Sequence, residues 1–188
     1  MTGQILRLTG EGAPVELWLM RLAAARGAQR QAAREWLAAE LQRREPSLPA
    51  WVETSKGPAR PPGARWNSSF SYCGPYILCG LSQSGMPGVD LTTADTWEGA
   101  DDVARLYGGP EAAKMVAGSP PSCRADIFAQ MWGALEARLK ACRRGLEEYS
   151  PQRDLHLAAA GLTCQVRHGR LWASSALCPD RGNAQQGA

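Results

Sequence analysis

The sequence predicts an α+β fold of two pseudo-repeated lobes, each a long helix packed on a small antiparallel sheet. Three observations carry this. Apolar residues recur at helical spacing in two long stretches, one in each half of the chain. A pair of short strand-like runs follows each stretch. The paired runs are close neighbours in sequence, joined by tight-turn residues, which favours antiparallel pairing. An N-terminal lobe is expected over 1–84 and a C-terminal lobe over 85–188.

Taken in order, Leu19, Leu22, Ala25, Ala33, Trp36, Leu37 and Leu41 place a helix over Leu17 to Arg44, in one piece or divided at Gly27. Pro46, Pro49, Pro58, Pro61 and Pro62 then exclude regular helix, and Ser55 to Gly63 reads as an exposed loop. Trp66 to Ser71 and Tyr76 to Ser82 read as strands around Gly74-Pro75, with a third from Gly88 to Leu91. The acidic segment from Ala94 to Tyr107 predicts a short helix ending at Gly108-Gly109, and Pro110 opens another. After Pro120-Pro121, the residues Ile127, Phe128, Met131, Trp132, Leu135, Leu139, Cys142 and Leu146 form the strongest helical stripe, stopping near Gly145. Leu162 to Arg167 and Arg170 to Leu177 predict two further strands turned by His168-Gly169. Beyond Pro179 the Gly/Gln/Asn/Ala-rich end is expected to fray.

Composition narrows the function. With 188 residues, 44% of them hydrophobic, the chain can bury a core and is not a disordered segment. A net charge of +3, with bases scattered among acids, gives no basic face for duplex nucleic acid, although it suits a partner with a modestly acidic surface. The opening residues lack a basic segment leading into an apolar run, and no eighteen consecutive apolar residues occur. A cytoplasmic location is therefore expected, with neither secretion nor a membrane span. Six cysteines without a Cys-x-x-Cys pair, beside two histidines, offer no zinc site of usual spacing. They are read as reduced and mostly buried.

Two places could carry chemistry. Asp90 in Gly88-Val-Asp-Leu follows apolar strand residues, so it stands where side chains leave a core; turn initiation or helix capping is the plainer alternative. Glu136 and Lys140 lie four apart on the second long helix, which by itself describes an ordinary exposed ion pair. Trp132, one turn before Glu136, allows a half-buried carboxylate instead. Trp66 and Trp132 read as core anchors, and His156 and His168 as turn or surface residues.

Three blocks, in order, resemble surfactin-type 4′-phosphopantetheinyl transferases: Trp66-Asn-Ser-Ser-Phe-Ser, Gly88-Val-Asp-Leu-Thr, and Trp132-Gly-Ala-Leu-Glu-Ala-Arg-Leu-Lys. Weaker echoes are Lys56-Gly-Pro, Leu106-Tyr-Gly-Gly-Pro-Glu and Trp172-Ala-Ser-Ser-Ala. The resemblance implies a Mg-dependent enzyme that moves phosphopantetheine from coenzyme A to a serine of an acyl or peptidyl carrier protein, as a monomer, in fatty acid, polyketide or nonribosomal peptide synthesis. It implies a cleft between the lobes where Asp90 and Glu136 hold Mg, acids contributed from opposite lobes. Glu136 accepts the serine proton and Lys140 offsets charge on the pyrophosphate. Arg30, Lys56 and Ser69 approach the nucleotide. The Arg143-Arg144 pair closes a helix whose end, in the family, faces the acidic carrier helix, so weak steering is implied.

The chain departs from the family pattern at Phe70, where the family has a histidine that contacts coenzyme A; at Thr92, where many members have a glutamate; and at Leu135, where a lysine is usual. Phe70 cannot donate a hydrogen bond, and Leu135 is expected to remove a positive charge from the phosphate side. These departures keep two rivals open: a relative that binds a carrier protein or acyl-pantetheine without transfer, and a catalyst of another reaction on a carrier-bound substrate.

Overall fold

In the computed structural model, which describes residues 4–47, 52–54, 57–59, 63–95 and 98–179, the first half opens with β1 (Ile5–Arg7) and β2 (Glu16–Arg21). The helix α1 (Arg26–Arg44) follows, then a short hairpin, β3 (Val52–Thr54) and β4 (Gly57–Ala59), and a longer one, β5 (Asn67–Cys73) and β6 (Tyr76–Ser82). The second half runs β7 (Gly85–Thr93), α2 (Ala100–Val103) continuing into a π-helical turn (Ala104–Gly108), α3 (Pro110–Ala117), α4 (Pro121–Ala141), α5 (Pro151–Leu157), β8 (Gly161–His168) and β9 (Leu171–Pro179). The chain is an α+β protein, and among the described residues every strand pair is antiparallel. The main sheets have orders β1-β2-β6-β5 and β7-β9-β8. In the first sheet β6 returns to pair with β2, and in the second β9 returns to pair with β7.

The run Leu17 to Arg21 is strand, not the start of a helix. Leu17 and Leu19 join one buried cluster with Leu78, Val89 and Leu91, while Met20, from the opposite face, joins another with Leu37, Leu41 and Ile77. A strand covered on both faces reads as a continuous apolar run, which helical spacing alone cannot distinguish from helix. The helix α1 starts five residues later and passes through Gly27 unbroken. Its buried residues Gln29, Ala33, Leu37 and Leu41 repeat every four positions. The Gln29 amide, itself buried, donates to Leu22 O at 3.0 Å and to Gly74 O at 2.8 Å, tying the helix start to the β5–β6 turn.

The helix α4 lies on the second sheet by its smallest residues. Ala129, Gly133, Ala137 and Ala141, again four apart, are buried, and Ala137 and Ala141 cluster with Ala176 of β9. Approach is so close that a Cβ on Gly88 of β7 would fall 1.9 Å from Ala137 O. Leu135 and Leu139 pack on another flank against Leu157 of α5. The helix ends at Ala141, earlier than its stripe predicts: Leu146 is outside it and exposed. The short helix α5 was not foreseen, although its signal is local: Ser150 caps it, accepting the Arg153 N–H at 3.1 Å, and Pro151 sits at its first position.

Smaller corrections follow. Pro58 lies in strand β4, so part of the expected loop is a hairpin. The β8–β9 turn is Gly169-Arg170, with Gly169 at φ 61°. Of the six cysteines, which are all unpaired, Cys79 is buried, Cys123 exposed and the others in between, so the expectation of mostly buried thiols does not hold. The end beyond Pro179 lies outside the described residues. Among the described residues no helix is long and apolar enough to cross a membrane.

Candidate active site

Asp90 sits mid-way along β7, buried at 6% exposure, opposite Ser174 of β9. Two turns of α4 pass over it, because Gly88 and the small residues of the helix let the backbone come close. That approach brings Lys140 to Asp90: its Nζ donates to Asp90 Oδ1 at 2.8 Å and to Val89 O at 3.1 Å, and lies 3.6 Å from Glu136 Oε2. The ammonium therefore stands between the two carboxylates. The Glu136–Lys140 pair is one edge of this buried constellation, not the solvated pair that spacing alone describes; side-chain exposures are 20% for Glu136 and 31% for Lys140.

Hydroxyls complete the arrangement. Ser71 Oγ donates to Asp90 Oδ1 at 2.9 Å, and Thr92 Oγ1 donates to Asp90 Oδ2 at 2.6 Å. Burial pushes the Glu136 carboxyl above the usual carboxylate range; Lys140 opposes the shift and the nearby Asp90 charge adds to it. Half-buried, with raised proton affinity and one edge toward a groove, Glu136 has the properties of a proton acceptor.

The groove, of about 540 Å³, is open and runs between the halves. Asp90, Thr92, Trp132, Glu136 and Lys140 form one wall; Arg26, Arg30, Phe70, Ser71 and Tyr72 form the other. Arg26 lies over the Tyr72 ring, 5.0 Å from its centroid, and Phe70 stacks on Tyr72 with centroids 6.3 Å apart. Burial pushes the Tyr72 phenol up, against the opposing fields of Arg30, Arg34 and Arg26. One side of the groove thus carries acids around an ammonium, and the other carries arginines on an aromatic floor.

Of the residues singled out in sequence, the structure brings together Asp90, Glu136, Lys140 and, across the groove, Arg30. Asp90 and Glu136 both belong to the second half, on β7 and α4, so the expectation of acids from opposite lobes is corrected; the first half contributes Ser71 and the arginines instead. Ser69 is set apart: its hydroxyl accepts the Val89 N–H at 3.2 Å, and it is not part of the groove wall. Lys56 lies outside the described residues. Leu135 packs with Leu139 on Leu157 of α5 and does not line the groove. Trp132 meets Tyr107 edge-on at 5.8 Å and stacks on Phe128, and Trp66 lies under the Arg44 guanidinium. His156 contacts Arg144, 3.0 Å away, on α5.

Among the groove residues that escaped the sequence reading are Arg26, Tyr72, Ser71 and the hydroxyl of Thr92. Period-two alternation along β5 puts Asn67, Ser69 and Ser71 on one face, and three polar residues there, where a core face would be apolar, were the available signal. No protein-family model matches this chain, and no curated protein matches it.

Proposed function

We propose that this chain is a 4′-phosphopantetheinyl transferase, which moves the phosphopantetheine arm of coenzyme A to a serine of an acyl or peptidyl carrier protein, acting as a cytoplasmic monomer with Mg. The observation that carries the reading is the meeting of Asp90 with Glu136 and Lys140 at a groove whose far wall bears Arg26 and Arg30. These acids and the lysine come from the motif blocks that resemble the transferases.

The donor set suits magnesium. Asp90 and Glu136 both offer hard carboxylate oxygens to the space now filled by the Lys140 ammonium, so a divalent cation held by the pair would displace that ammonium toward the phosphates. Among the described residues no group of three or more His, Cys, Asp or Glu side chains comes together. Magnesium favours such sites, keeping water and substrate phosphates in its remaining positions. Asp90 and Glu136 would hold it, and it supplies neutralisation of the diphosphate charge. Glu136 takes the proton of the carrier serine, directly or through water. The serine oxygen forms its bond to phosphorus as the bond to 3′,5′-ADP breaks, and the nucleotide leaves with the electron pair. Lys140 sets positive charge beside the phosphates, and Arg30 meets the nucleotide from the opposite wall. Given coenzyme A, Mg and an apo carrier protein, the chain should release 3′,5′-ADP only when the carrier is present. Absence of release, or release indifferent to the carrier, rejects the reading.

A further inference from the structure

The strands β5 and β7 belong to different sheets, yet side chains at alternate positions of β5 bond the backbone of β7. Asn67 Nδ2 donates to Gly85 O at 3.0 Å, and the hydroxyls of Ser69 and Ser71 accept the N–H groups of Val89 at 3.2 Å and Leu91 at 3.1 Å. Polar side chains thus stand in for a ladder that would otherwise join the halves. Ser71 also turns its proton on the site, donating to Asp90 Oδ1 at 2.9 Å, while Thr92 donates to Asp90 Oδ2 at 2.6 Å. Each oxygen of the buried carboxylate is therefore held by a hydroxyl, one from each half of the chain. The terminal torsion of an aspartate is otherwise broad. Lys140 Nζ also donates to Oδ1, at 2.8 Å, and once a cation takes the place of that ammonium the two hydroxyls, on opposite oxygens, are what fixes the plane in which the free lone pairs point.

We infer that Ser71 and Thr92 are positioning residues that set the rotation of the Asp90 carboxylate for a divalent cation. Ser71 makes that rotation depend on how the first half packs against the second. This rests on the cation site of the proposed function, but its test does not require transfer. Binding of Mn²⁺ alone to the full chain, counted by electron paramagnetic resonance of the free ion, is compared for wild type, Thr92→Val, Thr92→Ser and Ser71→Ala, with melting temperatures recorded alongside. Thr92→Val keeps the side-chain shape and removes the hydroxyl; Thr92→Ser keeps the hydroxyl. Loss of such orienting partners lowers metal affinity about ten- to a hundred-fold, so Thr92→Val and Ser71→Ala should weaken Mn²⁺ binding by that factor and Thr92→Ser should restore it. Equal affinities for Thr92→Val and wild type, an equal loss in Thr92→Ser, or no Mn²⁺ binding by the wild type overturns the inference. Should Ser71→Ala fail to fold, the two Thr92 variants still decide. The expected Mn²⁺ shifts in a chain that transfers nothing would sink the functional proposal and leave this one standing.

Discussion

The ammonium of Lys140 lies 2.8 Å from Oδ1 of Asp90, fifty positions earlier in the chain, and this pair fastens α4 to β7 at the groove. Replacing Lys140 with Met keeps the aliphatic stem and removes the charge, leaving the buried Asp90 carboxylate and Val89 O without that donor. The expected cost is about 1–3 kcal/mol, read as a lower urea midpoint with an unchanged slope. An unchanged midpoint would rank the pair with exposed ion pairs of small worth.

Glu136→Gln should lower transfer by about 10²-fold or more, the usual scale for losing a proton acceptor. It should also stabilise the metal-free protein at neutral pH. Because burial raises the folded-state value of Glu136, the native state holds its proton where the unfolded chain has released it. Stability from this group is full below the ordinary carboxylate range and is lost as pH rises from there through the folded value. Melting curves in chelator should show the variant gaining on wild type across that rise. A gap that does not change with pH contradicts this.

Gly88→Ala tests the close approach of α4. The added methyl would sit 1.9 Å from Ala137 O and 2.4 Å from Ala141 N, both backbone atoms. Helix or strand must then move, at a cost of about 1–3 kcal/mol, and Glu136 and Lys140 move away from Asp90 with the helix. Denaturant melts and the transfer assay should fall together; full activity in a stable variant would show that the approach is not needed.

The end of α4 offers a substitution in the stabilising direction. Arg143 has φ 55°, its N–H donates to Lys140 O at 3.0 Å, and the Arg144 N–H donates to Leu139 O at 2.8 Å. These are the bonds of a helix terminus that favours glycine at the left-handed position. Arg143→Gly should relieve about 1 kcal/mol of backbone strain, seen as a higher urea midpoint. A lower midpoint would contradict it.

How much of this was legible in the sequence depends on whether local pattern or tertiary contact decides each feature. The helix α4 and the β5–β6 hairpin follow from apolar spacing and Gly74-Pro75, and are found nearly where expected. The strand β2 was hidden because burial on both faces erases its alternation. The sheet-facing stripe of α4 was hidden because Ala129, Gly133, Ala137 and Ala141 carry little hydropathy, although they set how close the helix comes. At the site, Asp90, Glu136 and Lys140 stood out through the motif blocks that resemble the transferases, whereas residue type alone left a turn aspartate and an exposed ion pair as the plainer readings. The clamp of Ser71 and Thr92 on Asp90 was not visible, since a serine on a strand declares a partner only once the neighbouring sheet is in place. Ser69, its twin in the motif, spends its hydroxyl on Val89 instead.

The central claim is most directly tested on the acceptor. An apo carrier protein incubated with this chain, coenzyme A and Mg is weighed intact by mass spectrometry, beside a sample with chelator and one with the Glu136→Gln variant. The account predicts the mass gain of one phosphopantetheine group in the first sample alone. A carrier of unchanged mass in all three, or an equal gain with Glu136→Gln, would contradict it.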